Sequence, residues 1–319
     1  MRKASSFLAK FAVSALVLYL ALNWVSLGTV ASRFAQIDPR WVTAGLLVPV
    51  VQNFFLAVRW QALISACGAD LPVRQLFRFS MVALFFNQTL PSSVGGDAMR
   101  IWLLGKEANW RTAAYSVFID RVVGVVALAI IVTACLPWTL RLVQDPIGRS
   151  ALLAIGLGCI AAGVMFVSLA WGRLTLLQRW APTRHLAAVA RVALDILCSP
   201  RPLAWIFVNS IIIHLLTAIS AWIAARAVGV EMPFLYAIFL VLPVILIAVV
   251  PVSVAGWGVR EGAMAAAFGY AGLAPGDGLI VSLLYGATYL ASGIIGGGVW
   301  ILSGQKTKDE AMPAAQPLD

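Results

Sequence analysis

The sequence predicts an all-α polytopic membrane helix bundle, with about six full spans plus two re-entrant broken-helix hairpins in an inverted repeat. Of 319 residues, 61% are hydrophobic and only 11% are charged, whereas soluble proteins carry about 25% charged residues. A helix needs roughly 20 apolar residues to cross a bilayer. The runs that reach this length are 8–30, 41–66, 117–140, 151–171, 203–227 and 279–302.

We expect one transmembrane domain over 1–303 and a disordered cytoplasmic tail over 304–319, because no stretch is polar and long enough to fold as a soluble domain. The first span follows Arg2 and Lys3, but its apolar run exceeds the roughly 7 to 15 residues of a signal peptide. We therefore interpret it as an uncleaved signal anchor. The four cysteines form no CxxC pair, so the sequence predicts neither a zinc site nor a disulfide scaffold, and no cofactor.

The net charge of +10 lies in short segments between the apolar runs rather than along one continuous stripe. This distribution is typical of the positive-inside rule for membrane proteins and does not indicate a nucleic-acid partner. The strongest anchor is the loop 172–202, which carries five arginines. We expect a bacterial inner membrane protein with this loop and both termini in the cytoplasm.

The segment 90–100, "LPSSVGGDAMR", follows the apolar run 79–89. That run is too short to span, and the basic residues on both sides of it belong in the cytoplasm. We therefore expect the chain to dip into the membrane from the cytoplasm and turn back. The second half repeats the pattern in "PVSVAGWGVREG" at 251–262, with Pro, Ser, Val, Gly and Arg in the same register.

The second segment must enter from the opposite face, because the basic tail places the end of the last span in the cytoplasm. Two broken helices from opposite faces are typical of inverted-repeat transporters, where irregular backbone lines a protein-enclosed cavity. A half-helix N-terminus favours anions such as phosphate. Arg100 and Arg260 each lie four residues after a glycine, Gly96 or Gly256, so each guanidinium can reach back to the same phosphate.

Alternatives remain open for these residues. The motifs could be Pro/Gly loops with snorkelling arginines, Asn87 could cap the half-helix, and Asp120 with Arg121 could anchor the interface instead of forming an intramembrane site. We interpret Arg59, near a helix end, as a snorkelling anchor. The candidate substrate-binding residues are Asn87, Ser92, Ser93, Gly95, Gly96, Asp97, Arg100, Asp120, Arg121, Ser253, Gly256, Arg260 and Glu261, with Asp97 and Glu261 expected to hold the arginines.

The strings "FFNQTLPSSVGGDAMRIWLL", "DRVVG" and "PVSVAGWGVREG" resemble the transmembrane domain family of lysylphosphatidylglycerol synthases, which are flippase-like membrane proteins. The resemblance implies movement of lipids between leaflets: aminoacylated phosphatidylglycerol in the fused synthases, and polyprenyl-phosphate-linked sugars in relatives. We expect this chain to differ from the fused synthases in lacking the soluble aminoacyltransferase domain. The residues that match the family pattern are Asn87, Pro91, Gly95, Gly96, Asp97, Arg100, Asp120, Arg121, Gly256 and Arg260.

The predicted function is translocation of an anionic lipid, either a phospholipid or a polyprenyl-phosphate-linked lipid. No GxxxxGK[ST] motif is present, so we expect facilitative or ion-coupled movement rather than ATP-driven pumping. The alternative is a non-transporting membrane partner of an envelope-lipid or glycolipid biosynthetic enzyme. An intramembrane enzyme acting on lipid phosphates is disfavoured, because His214 has no carboxylate partner within its span.

Overall fold

The computed structural model describes residues 33, 35–89, 95–171, 191, 200–249 and 256–303, and within them it is helical with no strand. Five of these helices are long and apolar enough to cross a membrane. They are Pro39–Ala66, Trp110–Leu142, Pro146–Ser168, Leu203–Ala227 and Pro275–Leu302. The predicted class, a polytopic helical membrane bundle, is confirmed. The predicted span 8–30, most of the arginine-rich loop, and the tail 304–319 lie outside the described residues.

We label the described helices in chain order. They are α1 Pro39–Ala66, α2 Val73–Thr89, α3 Gly95–Gly105, α4 Trp110–Leu142, α5 Pro146–Ala170, α6 Pro200–Ala227, α7 Phe234–Ala248, α8 Val259–Tyr270 and α9 Pro275–Leu302.

The spans begin several residues before the apolar runs of the sequence, because capping residues fix their first turns. Asp38 accepts a hydrogen bond from the backbone N–H of Arg40 at the start of α1. Asn109 does the same for the N–H of Arg111 at the start of α4. Hydrophobicity therefore locates each span, while a short polar side chain caps the first turn of α1 and of α4.

Two pairs of shorter helices lie between the spans. The first hairpin consists of α2 and α3, and the second hairpin consists of α7 and α8; the residues 90–94 and 250–255 between their limbs lie outside the described residues. With 17 residues in α2, 11 in α3 and 12 in α8, these limbs are shorter than a span requires. The interruptions predicted from Pro and Gly therefore divide the chain into paired half-helices.

Both hairpins pack against the last span, α9. Glycine at 278 in α9 faces the backbone of Met264 in α8, whereas Gly296 faces the backbone of Met81 in α2. Nearer the middle of α9, Gly286 faces Arg260 after one break and Gly293 faces Gln88 before the other. Positions 286 and 293 are about 10 Å apart along a helix. The two breaks therefore meet near the middle of α9, approached from its opposite ends.

Candidate functional site

A cluster of buried charges lies where the first hairpin meets α1 and α4. The carboxylate of Asp120 accepts hydrogen bonds from two arginines, with Arg59 Nε at 2.9 Å from one oxygen and Arg100 Nη2 at 2.9 Å from the other. All three residues are at most 5% exposed. Asp120 is therefore the shared counter-ion of two guanidinium groups that would be costly to bury alone.

The cluster reaches the molecular surface through Asp97 and Arg121. Arg121 Nε lies 2.6 Å from Asp97 Oδ2, and its side chain is 39% exposed. The other oxygen of Asp97 lies 3.7 Å from Arg100 Nη1, a looser contact than the bond to Asp120. Among the described residues, three arginines thus face two aspartates, and the arginine beyond this balance is the partly exposed Arg121.

Neighbouring side chains hold the arginines in place. The guanidinium of Arg100 lies 3.9 Å from the ring centroid of Trp60, an attractive cation–π arrangement. Arg59 Nη1 donates to the hydroxyl of Ser210 at 3.1 Å. Arg100 Nε and the hydroxyl of Ser80 are buried without a hydrogen-bond partner among the described residues. The site therefore keeps unused hydrogen-bonding capacity beside its charged groups.

Asn87 closes the break in the first hairpin. Its side-chain oxygen accepts a hydrogen bond of 2.9 Å from the backbone N–H of Gly96. A Cβ at Gly96 would overlap the carbonyl oxygen of Ala83 and the side chain of Asn87, so only glycine allows the limbs to approach this closely. The capping role considered for Asn87 is what the structure shows. Ser92 and Ser93 lie outside the described residues.

A cavity of about 320 Å³ opens beside the charge cluster. Arg59, Arg100, Asp97, Asp120 and Arg121 line one side, together with Ser80 and Asn87 of the first hairpin. The other polar lining residues carry no charge. These are Gln52, Asn53, His214, Thr217, Tyr285 and Tyr289.

The neutral side of the cavity is ordered by its own hydrogen bonds. Gln52 donates to the hydroxyl of Thr217 at 2.8 Å and accepts from the hydroxyl of Tyr289. His214 Nε2 lies 3.0 Å from the carbonyl oxygen of Gly124. The cavity therefore combines a cationic end with a fixed set of neutral donors and acceptors.

The second hairpin holds a smaller, closed charge pair. Arg260 donates to Glu261 Oε1, with Nε at 3.0 Å, and to the hydroxyl of Ser282 at 3.1 Å. The other oxygen of Glu261 accepts from the backbone N–H of Gly258 at 2.6 Å. Gly256 adopts φ 81°, and Gly258 adopts φ 85°. Glu261 thus neutralises the arginine and caps α8, which leaves no excess charge.

The structure brings five of the predicted site residues to one cavity and places others behind it. Asn87, Asp97, Arg100, Asp120 and Arg121 line the cavity. Gly256, Arg260 and Glu261 do not line it. The guanidinium of Arg260 lies 5.2 Å from the ring centroid of Tyr285, which does. Tyr285 therefore stands between the two arginines, and Ser253 lies outside the described residues.

Arg59 belongs to the buried charge cluster and is not a snorkelling residue at the membrane surface. It is 3% exposed and bonded to Asp120, so the expected snorkelling anchor is wrong. The available signal was an aspartate of opposite charge within another long apolar run. In the described part of the chain, no group of three or more His, Cys, Asp or Glu residues could hold a metal ion.

Comparison with known proteins agrees with this architecture. The model of the lysylphosphatidylglycerol synthase TM region matches residues 7–297. A UPF0104 membrane protein of Methanocaldococcus jannaschii is 24% identical over 113 residues, and the match spans 34% of each chain. The matched part is thus about a third of that relative's length. Because the family model covers most of the sequence, this chain belongs to the family of the lysylphosphatidylglycerol synthase transmembrane region.

Proposed function

We propose that this protein translocates an anionic, phosphate-bearing lipid between leaflets, with the headgroup bound in the cavity beside Arg100. The observation that carries the proposal is a cluster of three arginines and two aspartates, buried except for Arg121, which lines a cavity together with neutral polar side chains. A phosphate would complete the charge balance and accept from the unpartnered Arg100 Nε. A guanidinium suits this task because it donates to two phosphate oxygens at once.

The aspartates support reversible binding in this proposal. Asp120 holds two arginines by short bonds, whereas the contact of Asp97 with Arg100 is 3.7 Å long. An arriving phosphate therefore competes most easily with Asp97 for Arg100. On release, the same carboxylate restores a paired arginine, so the cation is never left uncompensated in the protein interior.

The two hairpins support transport by alternating exposure. Their breaks meet near the middle of α9, and the arginine of the first hairpin reaches the cavity while that of the second lies behind Tyr285. We place the protein in the bacterial inner membrane with both termini cytoplasmic, so that the hairpins enter from opposite faces as in inverted-repeat transporters. The acyl chains remain in lipid while the headgroup crosses.

The test is leaflet exchange in proteoliposomes that contain either a fluorescent phosphatidylglycerol or a fluorescent polyprenyl phosphate, with an impermeant quencher outside. We expect Arg100→Lys to slow exchange, because the charge is kept but the two-pronged guanidinium contact is lost. Arg260→Lys should slow exchange less, because Arg260 bonds Glu261 and does not line the cavity. The corresponding Ala variants should slow exchange more, by an amount equivalent to about 1 to 3 kcal/mol in the barrier to translocation. If both arginines serve one headgroup, the double Ala variant should be less impaired than the two single losses combined.

Arg141→Ala is the matched control, since Arg141 is an exposed arginine at the end of α4. It should exchange lipid at the wild-type rate. Absence of exchange of both lipids by a correctly folded wild-type protein would favour the alternative, a non-transporting partner of an envelope-lipid enzyme. Wild-type exchange rates in both Ala variants would instead indicate that the two motifs have only a structural role.

A further inference from the structure

A second hollow, of about 650 Å³, lies on the outside of the first hairpin. It is formed by the start of α2 and the end of α9, and we call it the α2–α9 groove. Its polar residues are Arg74, Gln75 and Arg78, and its apolar residues include Phe77, Met81 and Val299. It shares no lining residue with the cavity of the charge cluster.

The arginines of the groove differ from the buried arginines of the bundle. Arg59, Arg100 and Arg260 each bond to a carboxylate. Within the described ranges, neither Arg74 nor Arg78 has an acidic partner, and Arg78 Nε is buried without a hydrogen bond. The guanidinium of Arg78 is half-buried and lies 5.7 Å from the ring centroid of Phe79. An anion beside it would supply the charge partner that the described residues do not.

The position of the groove indicates the depth of a lipid headgroup. On the neighbouring face of the same end of the bundle, the rings of Trp102 and Trp300 have centroids 5.9 Å apart. Lys106 Nζ lies 3.8 Å from the ring of Trp102. Tryptophan and basic side chains together are typical of the membrane–water interface.

We infer that the α2–α9 groove binds an anionic phospholipid of the adjoining leaflet. The lipid phosphate contacts Arg78 and Arg74, and the first part of an acyl chain lies along Phe77, Met81 and Val299. The apolar side of the groove favours a lipid over free phosphate, because a free ion leaves that side unused. Basic pockets between spans are suited to anionic headgroups.

This site is independent of the proposed translocation. Along α2, Arg74, Phe77, Arg78 and Met81 form one face at helical spacing, whereas Ser80, Ala83, Leu84 and Asn87 form the face toward the cavity. One helix therefore contacts the transport cavity on one side and the resident lipid on another. The lipid is a stabilising ligand of the first hairpin rather than the cargo.

The experiment titrates phosphatidylglycerol into the purified protein in nonionic detergent and follows the midpoint of thermal unfolding. Phosphatidylcholine and inorganic phosphate are titrated in parallel. We expect phosphatidylglycerol alone to raise the midpoint. Arg74→Gln and Arg78→Gln should each weaken the apparent affinity about fivefold, as expected for one interfacial basic residue.

Two controls isolate the groove. Arg141→Gln removes an exposed arginine elsewhere and should titrate as wild type. In an Arg100→Ala background, which removes binding in the cavity, Arg78→Gln should still weaken the apparent affinity about fivefold. The inference is overturned if both groove variants retain wild-type affinity, if inorganic phosphate acts as well as the lipid, or if Arg100→Ala abolishes the response. Arg74 is exposed, so its variant keeps the test valid if Arg78→Gln does not fold.

Discussion

The two hairpins share a sequence motif, but each matched residue has a different structural role in the two hairpins. Gly96 lies in a helix and is needed because the other limb passes too close for a Cβ. Gly256 has φ 81° and open space around it, so it is needed for its backbone conformation. The same letter thus meets a packing requirement in one hairpin and a torsional requirement in the other.

The matched arginines differ in the same way. Arg100 shares two aspartates with two other arginines and reaches the cavity, whereas Arg260 has Glu261 to itself and packs between the rings of Trp257 and Tyr285. The arginine of the first hairpin belongs to a cluster of three arginines and two aspartates that lines the cavity, whereas the arginine of the second hairpin is paired with one carboxylate and does not line it. The similar sequences therefore indicate a similar arrangement of half-helices, but not a similar charge environment for the matched arginines.

The largest expected effect tests whether the hairpins enter from opposite faces. In a variant without native cysteines, Lys106→Cys should be protected from an impermeant thiol reagent in intact cells, because the proposed topology puts the end of the first hairpin in the cytoplasm. Gly276→Cys, at the start of α9, should be labelled. The measurement is reagent incorporation before and after permeabilisation. Equal protection at both positions would remove the inverted arrangement.

The next largest effect compares the counter-ions. Asp120→Asn leaves Arg59 and Arg100 buried with no full negative charge between them, so we expect a loss of about 3 to 5 kcal/mol. Glu261→Gln leaves one arginine that keeps Ser282 and two aromatic faces, so we expect about 1 to 3 kcal/mol. Unfolding in mixed micelles of increasing SDS content measures both. A greater loss for Glu261→Gln would contradict the contrast between the hairpins.

The smallest expected effect is at the two glycines, where Ala and Asn substitutions should destabilise the protein in opposite order. At Gly96 the available space decides, so Ala should destabilise by about 1 to 3 kcal/mol and Asn by more. At Gly256 the backbone decides, so Asn, which tolerates left-handed conformation, should be better than Ala, which costs about 1 to 2 kcal/mol. The same SDS titration ranks all four variants. An identical order at both positions would show that the glycines share one role.

The parts of the fold that depend on local chemistry could be predicted from the sequence. Apolar length located five described spans, and Pro and Gly located the interruptions between half-helices. The contact of Arg100 with Asp97 follows from their separation of three residues in one helix. Each of these features depends on neighbours in the chain.

The features that were missed depend on which helices become neighbours. Arg59 and Asp120 are 61 positions apart, and neither apolar run shows that α1 and α4 place them in contact. Tyr285 separates Arg260 from the cavity because α9 passes between the hairpins. Nothing in the local sequence distinguishes Tyr285 from any other aromatic residue of an apolar span. Pairing between distant helices is set by packing of the whole bundle, so local patterns could not reveal it.

The glycine-rich face of α9 also bears on how the first hairpin can move. At Gly296, α9 meets the backbone of Met81 in α2. Gly293 faces the side chain of Gln88 and the carbonyl of Leu84, and Gly297 faces the ring of Phe85. Helices joined by interdigitated large side chains must change rotamers before they slide, whereas a smooth contact permits shear motion. The last span therefore offers the first hairpin a surface along which it can shift without being unpacked.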